Sequence, residues 1–253
     1  MIKIVVPISG GKDSQACLKL ALKQYDKNEV IGVFFDTKFE HPLTYLHIDF
    51  MREYYGVKIH RVCYGSVPEQ VLKNKRFPNG GARFCTDRLK LRPSRDFYKK
   101  LSEDQGGFEV WLGMRSDESR QRRKRYEDMV DDELYPPHEV LKSYPKYLSK
   151  NGVFFKLPIL NWTYAEVIHY LEGKENPLYK KGCKRVGCFP CLASIDKSKE
   201  FDFALDNFGI YQRKIVDDLE KKIGVSVWTS KSGAIRNNEA QQNVFSGCAI
   251  CAI

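Results

Sequence analysis

Six residues near the start of the chain carry the clearest chemistry. Ser9-Gly10-Gly11-Lys12-Asp13-Ser14 follows an apolar run and opens a helical one. The two glycines let the backbone approach a ligand closely. The N–H groups of such a turn and helix start form a nest for an anion. Lys12 adds a point charge for phosphate, Ser14 a hydroxyl donor, and Asp13 a carboxylate suited to magnesium or to helix capping. The loop is shorter than the nucleotide loop that places four residues between Gly and Gly-Lys. A second constellation is Cys183, Cys188 and Cys191, spaced C-x4-C-x2-C beside Gly182, Gly187 and Pro190. Thiols in so tight a loop point to a metal. Asp36 ends a further apolar run, where a carboxylate is placed to meet a ribose or an adenine edge.

The elements that must hold these groups are read from periodicity. Residues 2–8 and 29–35 are near-continuous apolar runs, as for strands covered on both faces. Residues 14–25 read as a helix, and Pro42 opens another to about Tyr54. Residues 57–63, 108–113 and 153–160 read as further strands, and Thr163 caps a helix to about Leu171. This alternation implies right-handed crossovers and a parallel sheet. Residues 173–195 read as an irregular loop. Residues 199–222 read as one helix, with Phe201, Leu205, Phe208, Ile215 and Leu219 on one stripe. The expected fold is α/β: a parallel-sheet, Rossmann-like body over residues 1–172 and a smaller Cys-bearing helical lobe over 173–253.

Composition narrows the function. The 253 residues contain no apolar run near the ~20 that a membrane helix needs. There is no repeat and no low-complexity tract, which excludes a solenoid and a disordered chain. MIKIVVPIS reads as a buried strand rather than an export signal. Eight cysteines without such a signal are expected to bind metal or do chemistry in a reducing cytoplasm. Lys and Arg total 42 against 32 Asp and Glu, a net charge of +10 that favours a nucleotide or nucleic-acid partner. Two basic stretches, Arg115 to Arg125 and Lys73 to Arg95, read either as phosphate-backbone contacts or as solvated faces. Cys248 and Cys251 form a C-x2-C pair that reads either as a sulfur or electron carrier or as an incidental tail. Cys17 and Cys63 read as small core residues.

SGGKDS is similar to the signature of the PP-loop ATP pyrophosphatases, and roughly residues 1–195 resemble the PAPS-reductase-like branch of the adenine nucleotide α-hydrolase superfamily. The likeness also rests on DTKFEHPLTY (36–45), RFCTDRLKLRP (83–93), LGMRSDESRQR (112–122), LPILNWTYAEVIHYL (157–171) and NPLYKKGCKRVGCFPC (176–191). It implies ATP and Mg²⁺ bound at Ser9–Ser14, with Asp36 and Gly113 beside the nucleotide. It also implies Lys12, Asp13 and Arg115 as catalytic groups. Lys38 departs from the pattern, since many relatives carry Gly there. Iron–sulfur APS reductases resemble this chain in having a Cys-Cys pair at Cys85-Thr86 and a C-x2-C at Cys188 and Cys191. That likeness makes Cys85 the fourth ligand, beside Cys183, Cys188 and Cys191. Four thiolates suit a [4Fe–4S] cluster or zinc, and the resemblance favours the cluster.

Within the family the chain most resembles the ATP pyrophosphatases of bacterial DNA phosphorothioation, of the Dnd and Ssp types. The implied reaction adenylates a nucleic acid, after which sulfur from a cysteine desulfurase displaces AMP. DNA is favoured as the acceptor over tRNA. A sulfonucleotide reductase is the alternative, although this chain ends SGCAICAI and lacks the Glu-Cys-Gly-Ile/Leu-His context of those enzymes. A non-catalytic nucleotide- or nucleic-acid-binding component is the second alternative. No membrane partner is expected, and a homodimer stays open.

Overall fold

The computed structural model describes residues 1–194 and 196–228. Cys248 and Cys251 lie outside the described residues. The fold is built on five parallel strands: β1 (Ile4–Ile8), β2 (Val30–Asp36), β3 (Lys58–Cys63), β4 (Phe108–Trp111) and β5 (Val153–Lys156). Their order in the sheet is β3-β2-β1-β4-β5. The chain moves outward from β1 through β2 to β3, then returns to the other side of β1. The reversal falls between β1 and β4, and ligands of open α/β sheets bind at the carboxyl ends of the strands there. The β1–β4 ladder ends at Val5 and Val110. Pro7 lies two residues further on and has no N–H with which to extend it.

Helices cover both faces. On one side α1 (Lys12–Gln24), α2 (Pro42–Tyr54) and a later helix, Tyr164–Leu171, pack over Ile4, Val6, Ile8 and Trp111. On the other, Arg92–Gln105 contributes Tyr98 to a core with Val5, Val33, Val110 and Phe155. Alternate residues of β1 thus enter opposite layers, as the strand period requires. The later helix is capped by Thr163 and Glu166, each side chain accepting the other end's backbone N–H. Numbering the longer helices in chain order gives α3 (Val67–Asn74), α4 (Arg92–Gln105), α5 (Tyr164–Leu171), α6 (Asp196–Ala204) and α7 (Asn207–Ile223). A third core joins Val67 and Val71 of α3 to Val216 and Leu219 of α7, with Phe39 and Leu192 between them. Among the described residues no helix is long and apolar enough to cross a membrane.

Two expectations from the sequence need correction. The single helix over 199–222 is two, because Asp206 accepts the backbone N–H groups of Phe208 and Gly209 and starts a new helix. That break resets the helical phase. Phe201 is exposed, and the buried face is Phe203, Gln212, Val216 and Leu219. Cys63 is also exposed, because it ends β3 at the edge of the sheet, whereas Cys17 is fully buried as expected. Short helical turns and a wide-turn segment, Asp87–Leu91, fill the regions between.

Candidate functional site

The phosphate loop leaves β1 and passes directly into α1, at the place where the sheet reverses. Gly10 has a φ of 75°, a left-handed conformation that glycine reaches without strain. A side chain there would also strike Thr44 Cγ2 at 2.5 Å. Ser9 and Ser14 brace the turn. Their hydroxyls lie 3.2 Å apart, the Ser9 N–H donates to Ser14 Oγ, and the Gly11 N–H donates to Ser9 Oγ.

The loop after β4 comes up against it. A Cβ on Gly113 would lie 2.8 Å from the Asp13 carbonyl carbon and the Ser14 nitrogen. Only glycine permits this approach, and it brings Arg115 to Asp13. Arg115 Nε donates to Asp13 Oδ1 at 2.6 Å, and Lys12 Nζ meets Asp13 Oδ2 at 3.0 Å. Both cations are buried, at 3% and 5% exposure, with Asp13 as their shared counter-ion. Burial pulls the Lys12 ammonium below its usual range, and Arg115 and Arg185 add to that against the opposing pull of Asp13. Arg115 Nη1 also meets Asp117 Oδ2 at 3.2 Å, so the two buried cations face two carboxylates, with which an anion from solution would compete for them.

Groups from beyond residue 160 complete this site, and sequence reasoning assigned them no role. The Lys12 N–H donates to Tyr179 Oη at 3.2 Å, and Asn176 Nδ2 donates to the Gly10 carbonyl at 3.0 Å. Lys12 Nζ lies over the rings of Tyr164 and Tyr179, at 4.9 and 5.4 Å from their centres. The signal was the NPLY run just ahead of Cys183.

Asp36 anchors a second centre. Oδ1 accepts from Tyr45 Oη and from the Lys38 N–H, and Oδ2 accepts from Arg61, the shortest contact being 2.6 Å. Burial pushes this carboxyl upward, but the Lys38 N–H, Arg61 and Tyr45 outweigh it and hold the group below the usual carboxylate range. Lys38 itself has a φ of 51°, which explains physically why glycine suits the position. Tyr45 also reaches Glu40, 3.2 Å from Oε2. Glu40 is 3% exposed and accepts from Thr37 Oγ1 and the Phe39 N–H. Burial and the nearby Asp36 raise its pKa, against Lys90 and Thr37.

Glu40 leads to the thiols. It pairs across a β-bridge with Cys188, the Phe189 N–H donates to the Phe39 carbonyl, and Thr37 Oγ1 lies 3.2 Å from Cys188 Sγ. Burial pushes the Cys188 thiol up, and Glu40, Cys191 and Cys85 add to this. Cys85, Cys188 and Cys191 are therefore neighbours. Cys183 stands apart, packed on Leu178 and Phe189, and burial pushes its thiol up to about 11 with Asp202 and Asp206 as the nearest acidic groups. As folded, the four cysteines do not form a single ligand set. Among the described residues, no group of three or more Cys, His, Asp or Glu is arranged to hold a metal ion.

The basic stretches separate as well. Arg92 and Arg95 are paired with Asp87, Arg88 donates to Gln70, and Lys90 is buried. Arg120, Arg123, Lys124 and Arg125 are exposed, whereas Arg122 is buried against Glu118.

Comparisons with known proteins show the family and the fold. The sequence model described as "Phosphoadenosine phosphosulfate reductase domain" matches residues 3–194. An uncharacterised protein of Methanocaldococcus jannaschii is 31% identical over 197 residues, which is 75% of this chain and 36% of that protein. The chain thus spans about a third of that relative's length. A phosphoadenosine 5'-phosphosulfate reductase of Buchnera aphidicola is 29% identical over 192 residues, covering 72% of this chain and 68% of the reductase. The crystal structure of phosphoadenylyl-sulfate reductase from Candida auris, in a phosphate complex, has the same fold. It matches with a TM-score of 0.50 and 19% identity over 75% of this chain and 82% of its own.

Proposed function

Since the chain belongs to the phosphoadenosine phosphosulfate reductase domain family, we propose that it uses the family's nucleotide site as an ATP pyrophosphatase. It would cleave ATP between the α- and β-phosphates and adenylate a nucleic acid for sulfur incorporation, most readily in DNA phosphorothioation. The observation that carries the reading is the convergence of Lys12 and Arg115 on Asp13, over an intact Ser9–Ser14 loop at the sheet reversal. Two buried cations suit a group that leaves with high negative charge, and pyrophosphate is such a group.

The residues divide the work. Backbone N–H groups of the loop hold the outer phosphates. Lys12 and Arg115 turn from Asp13 to the phosphate oxygens and stabilise charge as the anhydride breaks. Asp13, so released, would hold Mg²⁺, which would supply positive charge to offset that of the triphosphate. Tyr179 moves off the Lys12 N–H as phosphate takes its place. Asp36 organises Tyr45 and Arg61 on the nucleoside side. An acceptor oxygen attacks the α-phosphate and pyrophosphate leaves; the terminal sulfur of a persulfide supplied by a cysteine desulfurase later displaces AMP, and a thiol reductant then splits the remaining S–S bond, leaving the sulfur on the acceptor. Positioning accounts for most of the rate.

Cys85, Cys188 and Cys191 lie together but are not arranged to hold a metal ion as folded, and they would have to draw closer to bind a metal or an iron–sulfur group. Because the four cysteines are not assembled, no step of the reaction is assigned to such a group.

A second reading, reduction of a sulfonucleotide, is favoured by the name of the Buchnera aphidicola relative. One experiment separates them. Purified protein is supplied with ATP and Mg²⁺, and separately with APS or PAPS and a thiol reductant. AMP with pyrophosphate supports the first reading, and sulfite release supports the second. Lys12→Ala is expected to abolish pyrophosphate release with the fold intact.

A further inference from the structure

The two basic stretches in this chain differ in how many of their cations the fold commits to partners. In Lys73 to Arg95, Asp87 holds Arg92 and Arg95, Gln70 accepts from Arg88 and Lys90 is buried, whereas Lys73 and Lys75 are exposed. The turn Arg120–Arg125 differs. Arg120, Arg123, Lys124 and Arg125 are all exposed, and among the described residues none has an ion pair. Acidic residues follow at Glu127, Asp128, Asp131 and Asp132, yet none of them pairs with these four cations.

The turn is also fixed to the phosphate site. Glu118 accepts the Arg115 backbone N–H at 3.3 Å and holds the buried Arg122 guanidinium, while Ser119 accepts the Arg122 N–H. One carboxylate thus ties the basic turn to the residue that grips Asp13. Arg120 is five positions beyond Arg115, so the two Cα atoms lie within roughly 18 Å. On a duplex that span is about five base pairs at 3.4 Å per step. The turn exposes no aromatic ring, since Tyr126 is 2% exposed. It offers charge for a backbone and no platform for stacking unpaired bases.

We infer that the exposed turn Arg120–Arg125, anchored through Glu118, is the docking surface for the phosphate backbone of duplex DNA. The inference rests on the proposed function, to whose DNA acceptor it gives a docking surface, and it is tested by binding alone. Four phosphates neutralised here would make affinity fall on the order of 150-fold between 50 and 200 mM salt.

The test is fluorescence anisotropy of the full chain with a labelled DNA duplex across that salt range. It compares the parent with the variant Arg120→Gln/Arg123→Gln/Lys124→Gln/Arg125→Gln, with circular dichroism confirming the fold. The slope of log affinity against log salt is expected to become shallower by about 3–4 in the variant. A control, Lys73→Gln/Lys75→Gln, is expected to keep the parental slope. The inference is overturned if the parent does not bind the duplex or if the variant keeps the parental slope. It is also overturned if the control loses as much as the variant, or if an RNA duplex of equal length binds as tightly. Failure of the pyrophosphatase reading shows separately, as the absence of AMP from ATP while the slope change remains.

Discussion

Replacing Gly113 with alanine puts one methyl group where the two halves of the phosphate site touch. Its Cβ would lie 2.8 Å from Asp13 C and Ser14 N, and 2.9 Å from Asp13 O. All three are backbone atoms at the start of α1, so no flexible side chain can yield. Reaching ordinary contact requires the loop after β4 to withdraw by roughly 0.6 Å. Overpacking of this kind costs about 1–3 kcal/mol, and for a chain of this size each kcal/mol lowers the melting temperature by about 2–4 °C. Arg115 stands two residues further on and bonds Asp13 at 2.6 Å, so it withdraws too. A misplacement near 1 Å can cost on the order of 100-fold, and a loss of at least about tenfold in kcat/KM for ATP is expected here. The assay pairs thermal melting, with and without ATP and Mg²⁺, with pyrophosphate release. Gly81→Ala is the control, because a Cβ there meets only Asn79 Oδ1 at 3.7 Å, and it should be silent. A Gly113→Ala protein that melts and turns over like its parent refutes the close approach of the two loops and the role given to Arg115.

Other outcomes follow from the same geometry. In anaerobically prepared protein, Cys188→Ser should lose most bound iron or zinc and Cys183→Ser should keep most of it; equal loss in both would place Cys183 among the ligands. His47 is held neutral by burial, its pKa lowered to about 4, and Nε2 lies 2.9 Å from Gln15 Oε1. Between pH 6.5 and 4 the unfolded chain takes up a proton that the folded chain refuses. Stability should therefore fall by up to about 3 kcal/mol as pH drops through that window, and urea titrations of the parent and His47→Gln should diverge there. A parallel fall in both would contradict this. Lys38→Gly should stabilise by about 0.5–1 kcal/mol in urea unfolding, since the left-handed φ strains lysine. Destabilisation would show that the Lys38 side chain holds something the backbone account omits.

What could be read from the sequence is local, and what could not is distant in the chain. The Ser9–Ser14 loop carries its own conformation in Gly10 and its own bracing in Ser9 and Ser14, so six adjacent residues sufficed. Thr163 announced a helix start in the same way. Periodicity failed at Asp206, where a capping aspartate inside an apparently continuous stripe starts a second helix. Tyr179 and Asn176 reach the loop from more than 160 residues away, and nothing local marks a tyrosine as the acceptor for Lys12 N–H. Asp36 was visible as a strand-end carboxylate, but its partner Arg61 lies on β3, and only the register of β2 against β3 brings them together. The C-x4-C-x2-C spacing suggested one ligand group, whereas the fold turns Cys183 toward Leu178 and Phe189 and leaves Cys188 against Thr37.

Which anhydride bond of ATP is broken tests the proposed function most directly. Parent protein and Lys12→Ala are incubated with ATP labelled at the α-phosphate, Mg²⁺ and a DNA duplex, and the nucleotide products are resolved alongside a pyrophosphate assay. Labelled AMP or an AMP-linked acceptor, with pyrophosphate from the parent and none from the variant, is the expected result. ADP with inorganic phosphate, or intact ATP, would contradict it.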